Sequence, residues 1–264
     1  MNSIVTKKQE PYQLPDGTKI SIRNFLEDKF IGKLVDEHNT FRIAFVLGSG
    51  RMSKAIRPGY VVDALFLPEI SIELFKLITS YGYNCDIMSA LDADLHVDAK
   101  LIEEYNLLIS GGPLVNTITR RIMERFAREL NIAFAAPESG EIEIKYGRKS
   151  QVLHATANNY GIFSLMKNPW AADKEISRII LLCAGRYAIG TVAANRFLLD
   201  LIKDPTKRFD AKINDLSIPA HIIEGEMRNY EKLPPPPKER EYIGNVVSYR
   251  VITKELFDYY LMGE

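Results

Sequence analysis

Long apolar runs, paired cysteines, clustered histidines and an excess of one charge are all missing from this sequence, and each absence narrows its chemistry. No apolar stretch approaches the roughly 18–20 residues that a spanning helix needs, so no membrane partner is expected. The opening segment "MNSIVTKKQEPYQLPDGTK" has no apolar h-region, which argues against a secretory signal and for a cytoplasmic protein. Only two cysteines occur, Cys85 and Cys183, each inside an apolar strand-like run. That is the setting of a buried reduced thiol rather than a disulfide framework. The four histidines, His38, His96, His154 and His221, lie too far apart for any metal-ligand spacing, so no metal is expected. Lys plus Arg and Asp plus Glu both number 34, a balance that supplies no strong nucleic-acid signal.

What the chain does have is ordinary globular material: 264 residues, long enough for one large α/β domain with smaller appendages. Residues 1–40 read as an N-terminal β-hairpin appendage, with Asp16-Gly17 as its turn signal. From Phe41 the pattern changes to apolar runs alternating with helical stripes. "FRIAFVL" reads as a strand, and Ile70, Leu74, Leu77 and Ile78 as a helix stripe closed by Gly82. "NCDIMSA" is a second strand, "DAKLIEEY" a short helix and "NLLIS" a third strand. Leu114, Val115, Ile118, Ile122, Met123, Phe126 and Leu130 then mark one face of a helix, with Arg120, Arg121, Arg125 and Arg128 on its solvated face. "NIAFAA" reads as a fourth strand, and "RIILLCAG" followed by "TVAANRFLLDLI" as a last strand–helix unit ending near Pro205.

The alternation predicts an α/β fold, a Rossmann-like three-layer sandwich with a mostly parallel sheet over residues 41–205. A small antiparallel β insertion is expected near 141–168, where short β-like pieces are separated by Gly, Asn and Ser. Residues 206–264 should supply further β segments, an extended proline connector at 234–237 and a terminal helix.

Three turns follow apolar strands in this pattern: Gly48-Ser49-Gly50-Arg51, then Gly111-Gly112-Pro113 with Asn116, then Gly185-Arg186 with Gly190-Thr191. Ligands of open α/β sheets bind outside the carboxyl ends of the strands, so the three are expected to share one edge and one pocket. Glycine lets backbone approach a ligand closely, and the amides opening a helix attract anions. Ser49 and Thr191 offer hydroxyls, Arg51 and Arg186 paired contacts to phosphate oxygens, and Asn116 either a cap or a reader of a base or sugar edge. The competing reading of each turn is a strand-to-helix corner with no ligand. Neither G-x-G-x-x-G nor a P-loop is present, because Ser53 stands where a third glycine would be.

Catalytic sets are not legible. Asp92, Asp94 and Asp98 fail the EF-hand pattern and are better explained as capping acids. Glu138, Glu141 and Glu143 fit alternating exposed acids better than a catalytic pair. No G-x-S-x-G elbow occurs, Trp170 reads as a packing anchor or part of an aromatic rim, and no cofactor is indicated.

"NLLISGGPLVNTITRRI", then "YGIFSLMKNPW", then "RIILLCAGRYAIGTVAA" follow one another in an order that resembles archaeal surface-layer-type proteins and uncharacterised prokaryotic relatives. The resemblance runs over about residues 107–201 and carries no catalytic residue with it. This chain is shorter and not acidic, which fits an intracellular relative better than a cell-wall component.

Three functions are therefore expected to compete. The first is binding or sensing of a small anionic ligand, a nucleotide among the candidates, at the glycine turns. A structural or assembly module related to surface-layer-type domains, forming a homo-oligomer, is the second. A nucleotide or glycosidic-bond hydrolase with an Asp or Glu beside the pocket is the third.

Overall fold

A computed structural model describes residues 12–13, 19–20, 38–49, 64, 66–93, 99–126, 132–134, 142–146, 149–153, 159–171, 178–185, 188–203, 220–227 and 246–251. Gly50, Arg51, Arg186, Asp94, Asp98, Glu138, Glu141, His96, His154, the proline connector and the terminal helix lie outside the described residues.

Strands β1 (Tyr12–Gln13) and β2 (Lys19–Ile20) pair antiparallel, as the Asp16-Gly17 signal requires. The main sheet begins with β3 (Thr40–Leu47), whose Phe41, Ile43, Ala44, Phe45 and Val46 are all buried. Apolar residues on both faces of one strand demand cover on both sides, the pattern of a central strand. Helix α1 (Leu67–Ser80) follows, burying Leu67, Ile70, Leu74 and Ile78 at helical spacing. It ends where Gly82 takes a φ of +82° and its amide returns to Thr79 O, a left-handed stop that suits glycine. Next come β4 (Asn84–Leu91), α2 (Ala99–Glu104), β5 (Asn106–Ser110) and α3 (Thr117–Phe126). Every residue of β5 is buried.

The "NIAFAA" run departs from expectation. Strand β6 (Ile132–Phe134) stands outside the main sheet, pairing antiparallel with β7 (Ile142–Tyr146), which pairs with β8 (Lys149–Leu153). A short apolar run cannot by its periodicity say which sheet it will join, because that depends on the partner. The reverse holds for "YGIFSLM", read as part of the insertion. As β9 (Asn159–Lys167) it enters the main sheet antiparallel to β10 (Ile179–Gly185), with Ile162 and Phe163 buried on opposite faces. Helix α4 (Ala188–Lys203), β11 (Ala220–Met227) and β12 (Val246–Val251) complete the described elements.

The seven-stranded sheet has the order β12-β11-β9-β10-β5-β3-β4. The block β4-β3-β5-β10 is parallel, whereas β9, β11 and β12 add antiparallel pairings. One core packs α1 and α4 against one face through Leu74, Ile78, Leu198 and Phe163. The other packs α2 and α3 against the opposite face through Ile102, Ile118, Ile122 and Ile109. The fold is thus α/β, with a mixed sheet between two helical layers. Phe163 and Phe197 meet edge to face, centroids 5.2 Å apart, tying β9 to α4. Asn106 laces the amino-terminal ends of three parallel strands: its amide donates to Arg42 O (2.9 Å), and its oxygen accepts from Ile179 N (3.0 Å).

Candidate functional site

Beyond β3 the chain builds β4 on one side and then β5 on the other, so the strand order reverses between β3 and β5. That switch point is where an open α/β sheet leaves a crevice at its carboxyl edge. Leu47 is in register with Ser110, and Ser110 with Cys183, so β3, β5 and β10 end close to one level. Gly48, Gly111-Gly112 and Gly185 follow from adjacent strands on that edge. The three turns are neighbours.

Backbone meets backbone all along this row. A Cβ on Gly48 would overlap Val115 O, and one on Gly112 would overlap Gly185 O. One on Gly185 would press on Gly190 and Thr191 N, and one on Gly190 would overlap Tyr160 O. Gly161 has the reciprocal relation to Gly190 O. Close approach is therefore what these glycines supply. Among the described glycines of this row, positive φ matters only at Gly111, at +115°, where the amide turns back to Cys183 O at 3.0 Å.

The middle turn is closed by side chains. Asn116 is buried, and its NH2 donates to Ser110 O (3.1 Å) and Val46 O (3.3 Å). Its Oδ1 accepts from Ile118 N (3.0 Å) and Thr119 N (3.2 Å). Two donors and two accepting positions are all that an amide has, so Asn116 is the helix cap and has nothing left for a base or sugar. Thr119 Oγ donates to Gly111 O at 2.8 Å, and Pro113 is buried within the turn.

The Ser49 amide of the first turn goes to a residue absent from the sequence-derived site. Asp92, directly after β4 and buried, accepts from Thr117 N through Oδ2 and from Ser49 N through Oδ1, both at 2.7 Å. Its own amide donates to Leu47 O at 2.8 Å. Burial works against the charge, but the amides and hydroxyls of Ser49 and Thr117 outweigh it and hold Asp92 below the ordinary carboxylate range. Ser49 Oγ is buried and has no hydrogen-bond partner among the described residues. An acid immediately past a strand at a sheet's carboxyl edge was the signal to heed. Capping was the right chemistry for Asp92, and the helix it caps is α3 rather than the nearer α2.

The third turn passes into α4, where Gly190 and Thr191 are buried against β9 and β10. At the opposite edge, Asn168 is buried and donates to Ile102 O at 2.7 Å while accepting from Trp170 N at 3.0 Å. Arg121 lies over the Trp170 ring, 5.5 Å from its centroid. Trp170 is packed against the core there, away from the glycine turns.

Cys85 is pushed up to about 11 by burial and by Asp86, Cys183 is pushed higher by burial, and both are free thiols held unreactive. Among the described residues no group of His, Cys, Asp and Glu could hold a metal, and no helix is long and apolar enough to cross a membrane. Asp92 makes a poor general base, since both oxygens are bonded and its proton affinity is low. Compared with known proteins, the chain matches no family model and no curated sequence.

Proposed function

We propose that the protein binds or senses a small anionic ligand, with nucleotides as the leading class, at the carboxyl edge of a Rossmann-like sheet. The observation that carries this reading is the row of three glycine turns on β3, β5 and β10, beside the point where strand order reverses. Because Asp92 and Asn116 already take the first amides of α3, the ligand's anion belongs on the β10–α4 side. There Gly185 and Gly190 bring backbone close to backbone at the start of a 16-residue helix, and Arg186 follows Gly185 in the sequence. A cytoplasmic setting accompanies this proposal.

Thermal-shift screening of nucleotides and inorganic phosphate tests it. Saturation at about 100 times Kd contributes about 2.7 kcal/mol, a rise of several degrees for a chain of this size. Arg186→Ala should lose most of that rise and Arg51→Ala part of it. No stabilising ligand, or full stabilisation of both variants, would sink the reading.

A second reading has its own support: the middle turn is filled by the chain's own groups, as a corner without a ligand would be. In it the chain is an assembly module akin to surface-layer-type domains. Light scattering distinguishes the two, a stable homo-oligomer without ligand favouring the module and a monomer counting against it.

A further inference from the structure

We propose that Asp92 is a resident anion: its carboxylate occupies, from within the chain, the place at the start of α3 where an external anion would sit, and closes that half of the edge to ligands. The geometry is that of a bound carboxylate bridging two backbone amides from separate elements. Oδ1 takes Ser49 N and Oδ2 takes Thr117 N, each at 2.7 Å, with the residue fully buried. A helix start favours one negative charge, and here that charge is already supplied. The next two amides, Ile118 N and Thr119 N, belong to Asn116 Oδ1, and Arg120 N bonds Asn116 O at 3.2 Å. A second anion would meet both a like charge and a set of amides that are already bonded.

The same bond does a second job. Ser49 stands two residues past β3, and Asp92 ties it to α3, an element that begins 68 residues later at Thr117. Asp92 is therefore both a specificity-determining residue, by exclusion, and a latch between the first and second glycine turns. The consequence for the ligand-binding reading, on which this part rests, is that the start of α3 contributes nothing to phosphate selectivity.

Chemical rescue tests the assignment. Asp92→Gly removes the side chain and leaves room for a free carboxylate of matching size, acetate or formate. The variant should melt several degrees below wild type. Acetate should restore at least half of that loss in a saturable manner, returning the Ser49 and Thr117 amide resonances toward their wild-type positions. Wild type should move by less than a degree at the same concentrations, and acetamide should rescue neither property. A folded D92G that acetate stabilises no more than wild type overturns the proposal. Asp92→Ser, which keeps a polar side chain, provides the same comparison if D92G does not fold.

A second arm needs no variant. Titration of wild type with inorganic phosphate should leave the Ser49 and Thr117 amides unmoved, and a saturable shift at either overturns the proposal. The Gly190 and Thr191 amides are read in the same titration. Silence there, extending to nucleotides, counts against the ligand-binding reading, while the Asp92 assignment is decided at Ser49 and Thr117.

Discussion

At the β5–α3 corner side chains do the holding: Asn116 caps the helix, Asp92 takes its first amide, and Thr119 bonds back to Gly111 O. At the β10–α4 corner backbone meets backbone, with Gly185, Gly190 and Gly161 in mutual contact where any Cβ would intrude. Both corners follow an apolar strand, both open a helix, and both carry a glycine pair within a few residues. Among the described residues the first corner adds polar side chains to its close backbone contacts, whereas the contacts described at the second are made by backbone where glycines omit atoms. The two are joined where Gly112 meets Gly185 O, where Gly111 N donates to Cys183 O, and where Asn195 of α4 donates to Ser110 Oγ at 2.8 Å, so neither can shift alone.

Substitutions can pull this pair of corners apart. The largest expected effect is at Asn116→Ala, which removes the cap and strands two buried carbonyls, costing about 3–4 kcal/mol in urea unfolding at neutral pH. Less than 1 kcal/mol there would mean that water replaces the amide. Gly112→Ala should follow at about 2–3 kcal/mol, since its Cβ can be seated only by moving the Gly185 backbone. It should also broaden amide signals in both corners, and changes confined to one would break the claim that they are joined.

Asp92→Asn keeps the shape and loses the charge, with an expected cost of about 1–2 kcal/mol at pH 7. The pH dependence has a definite sign. Because folding lowers this carboxyl below its ordinary 3.8, the contribution is fully present above that value and disappears as pH falls through the folded value. The gap between wild type and D92N should be level above about pH 5 and shrink below about pH 4. A gap that instead widens toward low pH would show the carboxyl to be neutral in the fold. Smallest is Arg121→Ala, which loses only its contact with Trp170, about 0.5–1 kcal/mol, and leaves both corners untouched.

Local pattern carried much of this. The stripe Ile70, Leu74 and Ile78, the stop at Gly82, the buried run at β5 and the succession of strand and helix were all legible, because each reports burial over a few neighbouring residues. Leu114 and Val115 were read one turn too early into a helix: they belong to the turn, and α3 starts only after Asn116 has capped it. The exchange of roles between "NIAFAA" and "YGIFSLM" was not legible, since apolar composition suits either sheet and only pairing decides between them. Of the expected site residues, Gly48, Ser49, Gly111, Gly112, Pro113, Asn116, Gly185, Gly190 and Thr191 are gathered on one edge, and Asp92 joins them from the end of β4.

By itself the sequence determined where the strands and helices lie, and that three glycine turns follow core strands, because periodicity and turn chemistry act within a few residues. Tertiary structure alone decided what those turns have left to offer. The partner of Thr117 N is a carboxylate 25 residues away, and the reason for Gly112 is a carbonyl at Gly185. Hydrogen bonds and steric closeness are settled by atoms that meet in space, and distance along the chain does not record them.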